Sequence, residues 1–204
     1  CPKRLSEMVE KQILGSYQDA DVKKVDDYNI FDVNTHVEYT RLELEEENYF
    51  PIRTAEDFEG DPLSNILSSM SKMSDSEGAM VQVVITPTDS KWRKGGQSFV
   101  SKVESNNADP EKSRIDVPKE KLEAVSKKIS KVGFLTDIRI VTSAPTKELA
   151  KMHLDNIVGA FDQFNNPGIN SFKKKKINKR SKEAFMHDVI YRRTPLGVKP
   201  VLNI

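Results

Sequence analysis

The chain has 204 residues, 32 Lys/Arg against 31 Asp/Glu and 37% hydrophobic residues, enough for one large domain or two small ones with a core that needs no disulfide staples. Its single cysteine excludes a disulfide framework and a multi-cysteine zinc site, and no apolar run approaches the ~18 residues of a membrane span or the core of a signal peptide. The net charge of +1 hides a polarity: residues 1–75 hold 8 Lys/Arg and 17 Asp/Glu (net −9), whereas residues 76–204 hold 24 and 14 (net +10).

The chain starts at Cys1 and stops at Leu202-Asn203-Ile204, just after a turn flanked by Pro195 and Pro200. A domain cut from a longer protein reads this way. A lipidated Cys1 is the rival, disfavoured because a helical pattern (Leu5, Met8, Val9, Ile13) begins at once with no tether. Residues 5–14 thus form a short amphipathic helix, and an acidic linker with Asp19, Asp21, Asp26 and Asp27 completes an N-terminal segment, 1–34.

A first unit spans 35–105. Thr40, Leu42 and Leu44 alternate with Tyr39, Arg41, Glu43 and Glu45, which predicts a half-buried strand over 37–46. After the extended Tyr49-Phe50-Pro51-Ile52-Arg53, Asp61-Pro62 opens a helix with Leu63, Ile66, Leu67 and Met70 on one face. Ala79–Thr86, apolar on both sides, predicts a central strand ended by Pro87. Asp89 caps a helix striped by Trp92, Phe99 and Val103, weakened by Gly95-Gly96.

Residues 106–117 read as an exposed connection, and a second unit spans 118–204. Pro118 opens a helix (Leu122, Val125, Ile129) that Gly133 closes. Phe134–Thr142 alternates as a strand, with Phe134, Thr136, Ile138 and Ile140 on one side. Thr146 caps the longest helix, striped by Ala150, Leu154, Ile157, Phe161 and Phe164 and stopped at Asn165-Asn166-Pro167-Gly168. Phe161 is expected to pack on Val81, Val83 and Ile85. An edge strand within 169–177 and a last helix over 180–193, around Ala184, Phe185, Val189 and Ile190, complete the chain. Strand–helix–strand–helix thus occurs twice, predicting an α+β layered sandwich of two βαβ-like, ferredoxin-like units with a mixed or antiparallel sheet.

Neither a phosphate-binding loop nor a Gly-x-Gly-x-x-Gly turn is present, so no nucleotide cofactor is expected. His36, His153 and His187 stand too far apart in sequence to share a metal, and His153 reads as a packed or surface residue. A terminal Cys1 makes a Cys–His nucleophilic pair implausible. The carboxylates Glu43, Glu45, Glu46, Glu47, Glu56, Asp57, Glu59 and Asp61 come in runs that alternation turns mostly to solvent, so no catalytic residues are assigned.

The sharpest polar feature is Lys173, Lys174, Lys175 and Lys176 with Lys179, Arg180 and Lys182, close to Arg192 and Arg193. Such a cluster neutralises nucleic-acid phosphates, although Phe172 and Tyr191 are too few aromatics for a stacking platform. The plainer account is lysines guarding an edge strand against pairing with neighbours. Alternation puts Phe172, Lys174 and Lys176 on one side and Lys173 and Lys175 on the other.

Several segments together carry a resemblance: Leu42-Glu43-Leu44; Tyr49-Phe50-Pro51-Ile52-Arg53-Thr54-Ala55-Glu56-Asp57-Phe58; Asp61-Pro62-Leu63; Val81–Pro87; Ile138-Arg139-Ile140-Val141; and Gly159-Ala160-Phe161-Asp162-Gln163-Phe164 with Asn170. Over roughly residues 35–204 the chain resembles the domain preceding the motor in conjugative-transfer, type IV secretion ATPases of the HerA/TraG-like group. In that group a segment resembling Pro200-Val201-Leu202-Asn203-Ile204 leads into the ATPase, so the resemblance assigns ATP hydrolysis to an implied parent and not to this chain. It implies a non-catalytic accessory domain, located in the cytoplasm or tethered at the inner face of the cell membrane through other regions. The implied partners are its own motor, neighbouring subunits of a homo-oligomer, and secretion components. The acidic and basic halves would suit head-to-tail contacts. The alternative expectation is a nucleic-acid-binding module guiding DNA to the motor through the Lys173–Arg180 cluster.

Overall fold

The centre of the sheet is the strand Gly133–Ala144, fully buried from Thr136 to Ala144. In the computed structural model, which describes residues 3–23, 25, 29–194 and 200–203, the elements in order are α1 (Ser6–Ser16), β1 (His36–Leu44), α2 (Leu63–Met70), β2 (Gly78–Pro87), α3 (Lys91–Ala108), α4 (Lys119–Ser130), β3 (Gly133–Ala144), α5 (Lys147–Ala160), β4 (Phe172–Lys175), α6 (Lys182–Ile190) and β5 (Val201–Asn203). The expectations that fall on Cys1, Asp26, Asp27, the turn residues 195–199 and Ile204 lie outside the described residues.

The fold is α+β: six helices and one five-stranded antiparallel sheet among the described residues. Strand order is β2-β3-β1-β4, and β5 pairs with the start of β3. β1 and β2 are both antiparallel to β3, which lies between them. β3 and β4 are likewise antiparallel to β1. Each strand–helix–strand unit is therefore split by a strand of the other.

Alternation decides which residues meet. On one face Leu42, Ala79, Ile138 and Ile140 pack with Ile66 of α2 and with Leu154, Ile157 and Phe161 from α5 and the 3-10 turn after it. Thr146 caps α5 as expected, its Oγ1 accepting from Leu149 N at 3.2 Å. On the other face Val141 packs with Ile30 and with Phe185 and Val189 of α6. Aromatic contacts join Tyr49 and Phe50 to Phe99 of α3, ring centroids 5.5 and 5.2 Å apart.

Six expectations are corrected. β2 is an edge strand rather than a central one: its apolar residues lie on both sides, but Val83 and Ile85 stay exposed. Phe161 is buried as expected, yet it packs in the cluster with Leu42, Ile138 and Ile140; Val81 touches that cluster, while Val83 and Ile85 lie beyond it. Of the α2 stripe only Ile66 is buried; Leu63 and Leu67 are exposed, because a two-turn helix at the margin covers little with its outer flank. Ala184 and Ile190 of α6 also face outward. Gly133 does not close α4 but begins β3, where a Cβ would stand 2.6 Å from Trp92 Cζ2. Gly96, read as a weakness of α3, is a close approach: a Cβ there would meet Ile129 Cγ2 at 2.6 Å.

Candidate functional site

The lysine run forms β4 and continues beyond it, at the edge of the sheet. Antiparallel pairing with β1 sets Lys173 opposite Glu43, Lys174 opposite Leu42 and Lys175 opposite Arg41. Phe172 turns inward, edge-on to Phe161 and Phe164 at 6.1 and 6.5 Å. Lys174, on that same side, reaches back to pair with Asp155 of α5. Lys175 projects from the opposite face and pairs with Glu43. Between the exit of β1 and β4 lies an open groove of about 450 Å³ lined by Glu43, Glu45, Glu46, Glu47, Lys173 and Lys175.

The run of like charge in sequence is thus a mixed surface in space, since antiparallel pairing lays the most basic strand along the most acidic stretch. Beyond β4, Lys176, Lys179, Arg180 and Lys182 are all exposed, and Lys182 Nζ sits 5.8 Å from the centre of the Tyr39 ring. The seven basic residues therefore divide into Lys174 and Lys175, paired with Asp155 and Glu43, and the exposed Lys173, Lys176, Lys179, Arg180 and Lys182.

Of the other carboxylates named from sequence, Asp57, Asp61 and Glu56 serve local structure, as does Glu77 before β2. Asp57 Oδ2 accepts from Thr54 N at 2.6 Å, and that bond holds its carboxyl below the usual range. Asp61 Oδ1 accepts from Leu63 N at 2.9 Å, opening α2. Glu56 pairs with Lys127 and with Lys131, and its hydrogen bond from Lys127 lowers its pKa. Glu77 accepts from Ser74 N, which lowers its pKa, and lies 3.0 Å from His153 Nε2. His153 is accordingly packed beside α5's apolar stripe. Among the described residues no group of three or more His, Cys, Asp or Glu is placed to hold a metal, and no helix is long and apolar enough to cross a membrane.

The segments that carried the resemblance converge. Gln163 donates through Nε2 to Pro62 O and Ala160 O at 2.8 and 2.9 Å and accepts through Oε1 from Asn65 Nδ2 at 3.1 Å, while its backbone carbonyl accepts from Arg53 Nη1 at 3.2 Å. Asn170, 3% exposed, accepts through Oδ1 from Glu46 N and Ser171 N and donates through Nδ2 to Phe50 O, each at 2.9 Å. These two amides tie three chain crossings together, a positioning role: buried amide groups that find partners fix one arrangement of the loops around them.

One polar constellation was not singled out from sequence. Gln82, Arg139 and Arg41 stand in register across β2, β3 and β1 on the α6 face. Arg139 and Asp137 are wholly buried. Arg139 Nε donates to Asp137 Oδ2 at 2.8 Å, Nη1 to Gln82 Oε1 and to Asp188 O, both at 2.7 Å, and Nη2 to Arg193 O. Arg41 forms an ion pair with the other oxygen of Asp137, and Gln82 Nε2 donates to Val189 O at 3.1 Å. The guanidinium thus holds the carboxyl end of α6, where Arg192 turns left-handed (φ 52°) and Arg193 N returns to Asp188 O at 2.9 Å. The available signal was a lone Gln inside Val-Gln-Val and a lone Arg inside Ile-Arg-Ile.

No curated protein matches the sequence, and no solved structure matches it. A family model described as a domain of unknown function (DUF8128) matches residues 2–195, nearly the whole length, and the chain belongs to that family.

Proposed function

We propose that the chain is a non-catalytic assembly domain of a DNA-translocating ATPase of the conjugative-transfer, type IV secretion kind, placed in the cytoplasm ahead of its motor and joining it to neighbouring subunits or secretion components. The observation that carries this reading is α1, which buries none of its residues and exposes Met8, Ile13 and Leu14, followed by Tyr17 at 70% exposure. Apolar surface left open in this way marks contact with another protein. The strand order β2-β3-β1-β4, all antiparallel, with α2 and α5 feeding one apolar cluster, supports a ferredoxin-like core as the frame, with α3 and α4 inserted between its halves. In the full-length parent, deletion of this domain is expected to abolish or alter the rings captured by crosslinking. Rings unchanged by the deletion would refute the assembly role.

A second reading keeps a specific observation in its favour: Lys176, Lys179, Arg180 and Lys182 remain exposed as a group beside β4. On this reading they contact phosphates and lead DNA towards the motor, with Lys173 as the nearest strand lysine. Replacing Lys176, Lys179 and Arg180 by Gln should then weaken DNA binding and reduce its salt slope by about 1 per lost contact. No binding by the unmodified chain at low salt would remove this reading.

A further inference from the structure

The two edges of the sheet are treated oppositely. β4, at one edge, is four residues long and carries lysines that resist pairing with a further strand. β2, at the other, runs ten residues as Gly-Ala-Met-Val-Gln-Val-Val-Ile-Thr-Pro without one charged side chain. Its inner edge is paired with β3 over its whole length, from Gly78 opposite Ser143 to Pro87 opposite Phe134. Among the described residues no backbone hydrogen bond satisfies its outer edge. Antiparallel geometry leaves every second residue there with its N–H and C=O turned outward. Val83 and Ile85, on the α2/α5 side, are 52% and 60% exposed. A long, uncharged edge with half-open valine and isoleucine is what a protein avoids unless the edge is used.

We propose that β2 pairs antiparallel with β2 of a second copy of this chain, joining two five-stranded sheets across a two-fold axis. Three features select this occupant. Self-pairing of an uncharged strand brings no like charges together, whereas β4 on β4 would oppose lysine to lysine. Pairing β2 with β4 of another copy would match ten residues to four, and would generate a head-to-tail ring or filament rather than a two-fold pair. A register centred on Val83 sets Val83 against its own counterpart and Val81 against Ile85 of the second copy, so the half-exposed side chains meet on one face. On the other face Gln82 faces Val84 and Met80 faces Thr86, again without charge. Antiparallel pairs of β-branched side chains are among the favourable cross-strand neighbours, and the backbone edge supplies the hydrogen bonds.

This inference does not rest on a motor following the domain, and a two-fold contact is distinct from head-to-tail contacts within a ring. The test uses the 204-residue chain itself. Light scattering across about 1–100 µM, the range of weak to moderate association, should show a monomer–dimer equilibrium. Val83→Lys and Ile85→Lys should each raise the dissociation constant about tenfold or more while leaving the circular dichroism unchanged. In a Cys1→Ser background, Val83→Cys should crosslink to itself under mild oxidation, and a control cysteine at Val33, exposed on a loop, should not. A chain that stays monomeric throughout overturns the proposal. So does a dimer that both lysine variants leave intact, and a dimer lost instead when α1 is truncated would place the contact there.

Discussion

Lys128 tests whether the packing of α4 is understood. It is 5% exposed, its Nζ donates to Phe50 O at 3.1 Å, and burial pushes its ammonium down from 10.5 to about 7. Between those values the unfolded chain keeps a proton that the folded chain has released, so stability rises with pH by ~1.4 kcal/mol per unit, on the order of 4–5 kcal/mol over the whole window. Below pH 7 both states are protonated and the full penalty of burying the ammonium stands. Lys128→Met keeps the apolar stem and removes the charge, and Phe50 O keeps its 2.9 Å bond from Asn170 Nδ2. Urea unfolding of both proteins at about pH 6, 8 and 10 isolates the effect, because every other titration cancels in the difference. The variant should be the more stable by several kcal/mol at the acid end, an advantage that shrinks by ~1.4 kcal/mol per unit above pH 7. A gap that stays constant from acid to alkaline pH would mean that Lys128 remains charged in the folded protein, and would refute the reasoning.

Three further outcomes follow from the packing. Phe161→Ala, in the cluster with Leu42, Ile138 and Ile140, should cost about 3–5 kcal/mol by chemical denaturation; a loss below ~1 kcal/mol would place the ring outside the core. The neighbouring glycines of α3 should respond with opposite signs in thermal melts: Gly95→Ala, whose Cβ would find Tyr49 Cδ1 at 3.5 Å, should gain up to ~1 kcal/mol of helix propensity. Gly96→Ala, whose Cβ would stand 2.6 Å from Ile129 Cγ2 and 2.9 Å from Tyr49 Cβ, should lose about 1–3 kcal/mol to overpacking. Asp137→Asn, which leaves Arg139 and Arg41 facing a neutral group, should cost about 3–5 kcal/mol and speed hydrogen exchange at residues 189–193 before the sheet core; uniform acceleration would argue against Arg139 as the anchor of α6.

What the sequence disclosed and what it hid have one physical cause. Period-2 alternation states which residues share a face of a strand, so the placement of Leu42 and Leu44, of Ile138 and Ile140, and of Phe172 with Lys174 opposite Lys173 and Lys175 was legible from residue order alone. Helical periodicity and a capping threonine placed the start and the buried stripe of α5 in the same way. α5 nevertheless ends at Ala160, with Phe161–Phe164 continuing as a 3-10 turn, and α3, not α5, is the longest helix among the described residues. Alternation is silent on pairing order, which depends on contacts between segments about 50 to 130 residues apart in sequence. The sequence therefore could not show that β3 rather than β2 lies at the centre, nor that the lysine strand lies along the acidic exit of β1. It is equally silent on whether a second layer covers a face. By alternation Arg41, Asp137 and Arg139 fall on the side opposite Leu42, Ile138 and Ile140, and residue order does not show that α6 closes over them. A charged side chain flanked by isoleucines on the most apolar strand is costly to bury unless its partners arrive from elsewhere in the chain. Here they do, from Gln82 on the neighbouring strand, from the Asp188 carbonyl of α6 and from the Arg193 carbonyl just beyond it, so Arg139 couples the sheet to α6 and to the turn that ends it.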